Sequence, residues 1–164
     1  MKSSASSVVV GDTPARQLAV FIGKFEPKLA KLIRQCRTEL RKLVPTANEL
    51  VYDNYNFFVI GYSATERVSD CICSIAAAAN GVGLSFYQGA SLSDPKKLLL
   101  GDGKQNRFIR LPTAALLRLP DVVKLIRTAV AQGRIPLPTT GGGCTVIKSI
   151  SAKQRPRRKR VDIE

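Results

Sequence analysis

Between Lys24 and Val44, Phe25, Leu29, Leu32, Ile33, Cys36, Leu40 and Leu43 recur at steps of three and four. At 3.6 residues per turn these positions share one face, so the segment predicts an amphipathic helix that has to bury that stripe against a second layer. Pro45 closes it, because a proline supplies no backbone N–H and crowds the preceding turn. The opposite half of the wheel carries Lys24, Lys28, Lys31, Arg34, Arg37, Arg41 and Lys42, against only Glu26 and Glu39. The predicted helix is therefore apolar on one side and strongly cationic on the other.

The second layer is legible downstream. Tyr52, Tyr55, Phe57, Phe58 and Tyr62 are five of the ten aromatic residues, and the enrichment around 56–62 reads as a strand. A connection through Ser63 to Ser69 leads to a second strand, Asp70 to Ala77, with Cys71, Cys73 and Ile75 on one face. Asn80-Gly81 signals a tight turn into a third strand, Val82 to Tyr87, and Arg107 to Leu111 alternates as a fourth. Pro120 and Asp121 open a second helix with an apolar face at Val122, Val123, Ile126, Ala129 and Val130, stopping at Gly133. Thr145 to Ser151 alternates as a late strand. The expectation is an α+β fold, an antiparallel sheet of four to five strands with flanking helices. Its organisation reads as a flexible lead-in over 1–16, a domain over 17–138, a Gly-rich connector with the late strand over 139–152, and a basic tail over 153–164.

At 164 residues and 45% hydrophobic content the chain suits one compact domain. No apolar run approaches the ~18 residues that a membrane-spanning helix needs, so no membrane partner is expected. The unusual quantity is charge: 26 Lys plus Arg against 12 Asp plus Glu, a net +14. The tail from Lys153 to Glu164 holds six basic and two acidic residues, leaving most of the excess on the body. Histidine is absent, which removes Ser-His-Asp and Cys-His nucleophile systems and the commonest metal ligand. The N-terminal stretch has only Val8 to Val10 as an apolar run, so no secretory signal is read. Cys36, Cys71, Cys73 and Cys144 are accordingly expected as reduced thiols in a cytoplasmic protein.

Pro45, Glu49 and Tyr52, then Tyr55, then Ile60-Gly61-Tyr62, are followed by the run Leu84 to Pro95 and by Leu99-Leu100-Gly101-Asp102-Gly103-Lys104 and Arg107 to Leu111. In order and spacing these blocks resemble the YdhG-like family, a domain of unknown function that includes a frataxin-like protein proposed as an intracellular iron chaperone. The resemblance spans residues 18–133 and implies a small α+β domain with an antiparallel sheet and no established active site. It also implies iron as a candidate cofactor. Frataxin-type binding uses clustered carboxylates, whereas the acids here are dispersed along the chain on a basic background.

Four features remain as candidates. Cys71 and Cys73, joined by Cys36 or Cys144, form a weak soft-metal pattern, and small apolar core residues are the favoured reading. Gly101 to Lys104 lacks the spacing of a phosphate-binding loop and reads as a turn. Glu49, Tyr52, Asp53 and Tyr55 are candidates for a polar cleft, with Glu49 bonded to an Arg of the first helix as the structural alternative. The cations are the strongest signal: Lys28, Lys31, Arg34, Arg37 and Arg41 with Arg155, Arg157, Arg158, Lys159 and Arg160 predict contact with polyanions such as nucleic acid. The resulting expectation is a non-catalytic binding protein without a metal site, with frataxin-like iron binding and an unrecognised enzyme as alternatives.

Overall fold

The computed structural model describes residues 12–160. The first eleven residues of the expected lead-in lie outside them, and from Pro14 the chain is helical. Helix α1, Pro14–Gly23, starts where the Thr13 hydroxyl accepts the Arg16 N–H at 3.2 Å and Pro14 takes the first helical position. It buries Leu18, Phe21 and Ile22. Helix α2, Pro27–Leu43, buries Ala30, Ile33, Cys36 and Leu40. The single helix expected from Lys24 is thus corrected: Lys24 to Glu26 form a turn and the helix starts at Pro27.

Among the described residues six strands follow, not four or five: β1 Asn48–Asp53, β2 Phe58–Ser63, β3 Cys71–Ala78, β4 Gly81–Phe86, β5 Arg107–Arg110 and, after helix α3 Pro120–Ala131, β6 Thr145–Ile150. The sheet order is β5-β4-β3-β2-β1-β6. Four neighbouring pairs are antiparallel, but β6 lies parallel to β1, so the α+β sheet is mixed rather than antiparallel. A parallel neighbour requires a long crossover, here the path through α3 from one sheet edge to the other. Among the described residues no helix is long and apolar enough to cross a membrane.

Register explains the two faces. Val51, Ile60, Ile75, Leu84 and Ile109 form one row across five strands, all buried beneath the helices. Phe21 and Phe25 pack tilted or edge-on against Phe58 beside this row, ring centroids 6.3 and 6.0 Å apart. Truncating a central member such as Ile75 to alanine removes contacts worth about 2–5 kcal/mol. The next row, Tyr52, Val59, Ala76, Gly83 and Arg110, faces the other way and is only partly covered.

Two loops follow from single residues. The Asp94 carboxylate accepts the Leu98 and Leu99 N–H groups at 2.9 and 2.8 Å, closing the Asp94-Pro95 turn. Gly89 is required by close approach rather than by an unusual dihedral, since an added Cβ would sit 2.5 Å from Arg107 Cβ.

Candidate functional site

Strand alternation places Glu49, Val51 and Asp53 on the helix-facing side of β1, which sends two carboxylates into the protein interior. Each requires compensation there, because an unpaired buried charge is strongly disfavoured. Arg37, one face-turn along α2, meets Glu49 with a two-pronged contact: Nε to Oε2 and Nη2 to Oε1, both 2.9 Å. The Tyr62 and Thr145 hydroxyls also donate to Glu49, at 3.0 and 2.9 Å, and Arg41 stands 3.9 Å away. Burial pushes the Glu49 pKa up, but the Arg37 guanidinium and the two hydroxyls together hold it below its ordinary 4.5. Burial and the neighbouring carboxylate drive the Tyr62 phenol well above its usual range.

Asp53 is the second node. Lys24 Nζ donates to Oδ2 at 2.7 Å, and Arg157 Nη2 donates to Oδ1 at 2.9 Å. Arg157 also donates to the Asn54 carbonyl at 2.6 Å, and its guanidinium lies 5.9 Å from the Phe25 ring centroid. The surrounding chain is tied in as well. Gln154 Nε2 and the Ser151 N–H donate to the Asp53 carbonyl, the Arg155 N–H donates to the Tyr55 carbonyl, and Arg158 Nε donates to the Lys24 carbonyl at 3.2 Å. Within the basic tail expected over 153–164, the segment through Arg158 is bonded to the body of the fold, and Arg157 is only 5% exposed.

The polar cleft does not assemble. Glu49 and Asp53 share one face of β1 while Tyr52 occupies the other, and Tyr55 lies exposed in the following turn with Arg155 5.7 Å from its ring centroid. The Arg-to-Glu49 alternative is what the fold contains, and Thr145, 96 residues away, completes it. Of the cationic set, Arg37 and Arg157 are spent on Glu49 and Asp53. Lys28, Lys31, Arg34 and Arg41 are exposed on α2, and Arg155, Arg158, Lys159 and Arg160 are exposed at the C-terminal side.

Cys36, Cys71 and Cys73 are buried and Cys144 is exposed. Burial pushes the thiols up, Cys36 and Cys71 to about 11 and Cys73 to about 12, so each stays protonated at neutral pH. Among the described residues no three Cys, Asp or Glu side chains gather where a metal ion could be held. Cys71 lines a cavity of about 510 Å³ together with Tyr87, Gln88, Gln132 and Arg134, at whose rim Asp70 accepts from Thr65 at 2.8 Å and from Arg134 at 3.1 Å. Those two donors hold the Asp70 carboxyl below its ordinary value.

A larger cavity, about 890 Å³, lies on the partly covered face of the sheet. No signal in the sequence marked it, because its floor is made of small residues that the pairing of β3 with β4 brings together. No protein-family model, curated protein or solved structure matches this chain.

Proposed function

We propose that this chain is a non-catalytic, YdhG-like intracellular protein that binds polyanions, nucleic acid foremost, through the exposed face of α2 and the basic segment 155–160. The observation that carries this reading is the anchoring of that segment by Arg157 to Asp53. It places Arg158 on the turn between α1 and α2, where the exposed row Lys28, Lys31, Arg34 begins. Holding these cations on a folded surface reduces the ordering cost that a free tail would incur on binding. The interior carboxylates Glu49 and Asp53 already have cationic partners, so they do not offset the outer row.

Titrating a dye-labelled oligonucleotide with the protein at a series of salt concentrations tests this reading by fluorescence anisotropy. The expected result is binding that weakens steeply and linearly on a log–log scale as salt rises. Absence of binding at low ionic strength would defeat it.

A further inference from the structure

The cavity on the partly covered sheet face has a shape that register alone explains. Ser74 and Ala76 of β3 and Gly83 and Ser85 of β4 form a low floor. Val59 and Phe57 rise on one side, Phe108 and Arg110 on the other. The result is a trough with aromatic walls. Phe57 keeps 50% of its surface exposed, and the Arg110 guanidinium lies 5.6 Å from the Phe108 ring centroid. The lining contains one charged side chain, Arg110, and no carboxylate, while Asn80 and Asn106 add uncharged amides able both to donate and to accept. It also includes Leu29 and Leu32 of α2, which alternate in sequence with the exposed Lys28 and Lys31.

We infer that this trough takes the unstacked bases of single-stranded nucleic acid, with phosphates meeting Arg110 and the first turns of α2. Three observations point to that occupant rather than to another protein. The walls offer aromatic faces of the kind bases stack on, and a guanidinium already lies over one of them. The polar groups in the lining suit base edges, which present both donors and acceptors. The only formal charge in the trough is positive, and the cationic row of α2 begins at its end, as a backbone of phosphates requires. A duplex keeps its bases stacked inside and cannot use such walls. This inference rests on the polyanion contact proposed for α2 and adds to it the class of nucleic acid.

The experiment compares three fluorescent ligands at one moderate salt concentration: a single-stranded oligo(dT), a duplex of equal length, and heparin. The parent is expected to hold the single strand about tenfold more tightly than the duplex. Phe57→Ala and Phe108→Ala, and separately Ala76→Leu to fill the floor, are expected to lower single-strand affinity about tenfold and to leave heparin affinity within twofold. Phe57 is half exposed, so its replacement tests the trough without emptying the core, and circular dichroism confirms the fold of each variant. Equal affinity for all three ligands, unchanged by these substitutions, would overturn the stacking inference while leaving polyanion binding in place. Binding to none of the three would overturn both.

Discussion

Arg157 sets its guanidinium 2.9 Å from the carboxylate of Asp53, a residue 104 positions earlier, and both side chains are buried. This contact anchors the C-terminal basic segment beneath the α1–α2 turn. Replacing Arg157 with alanine leaves Asp53 with Lys24 alone and opens space beside Phe25. A loss of about 3 kcal/mol is expected, at the low end for a broken buried pair because one carboxylate oxygen keeps its partner. Urea denaturation measures the loss, and limited trypsin digestion should then cleave at Lys153 and Arg158 well before the body. An unchanged cleavage pattern would show that the segment is held by other means.

The Glu49 and Arg37 pair predicts a pH dependence. The folded carboxyl lies below its ordinary 4.5, so ionised Glu49 contributes stability above that value and loses it as pH falls through the folded pKa. Glu49→Gln is expected to cost about 2–4 kcal/mol at pH 7, since Arg37 and Tyr62 lose a charged acceptor. Its deficit relative to the parent should narrow once the pH drops below 4.5. Urea unfolding curves from pH 7 to pH 3 test this, and a constant deficit across the range would contradict it.

Thiol chemistry should separate one cysteine from the other three. Cys144 is exposed, whereas Cys36, Cys71 and Cys73 are buried with raised pKa values. Ellman's reagent on the native protein is expected to titrate one thiol per chain quickly and the remainder only in denaturant. Rapid reaction of a second thiol would place Cys71 in open contact with solvent through its cavity.

The exposed row of α2 carries a prediction about salt. Replacing Lys28, Lys31 and Arg34 with glutamine removes up to three phosphate contacts at exposed positions, with stability expected to change by less than about 0.5 kcal/mol. The log–log slope of affinity against salt should become shallower by about 2 for a single strand. A slope equal to the parent's would move the contact surface elsewhere.

Local periodicity carried much of this structure. The 3.6-residue stripe from Leu29 to Leu43, the aromatic enrichment at β2, the alternation of β5 and the Asn80-Gly81 turn are set by neighbours close along the chain, and each stands near its expected place. Helix α1 was missed although Thr13-Pro14 and the spacing of Leu18, Phe21 and Ile22 mark it, because the small polar stretch before it suggested a continuing lead-in. Strand β1 was missed for a different reason: Glu49 and Asp53 are charged, and only partners from α2 and the C-terminal segment make them tolerable on an inward face.

The sequence by itself determined the amphipathic helix, the order of most elements and the excess of positive charge, since all of these depend on local spacing and counting. The tertiary structure alone decided which charges remain available. Arg37 and Arg157 resemble Lys31 and Arg158 in the sequence, yet the first two neutralise buried carboxylates and the second two face solvent. The cost of an unpaired charge depends on the burial created when distant segments meet, here β1 with α2 and with residues more than a hundred positions later. The same meeting of strands aligned small residues into a trough between aromatic walls, a relation carried by the register and by no single stretch of the chain.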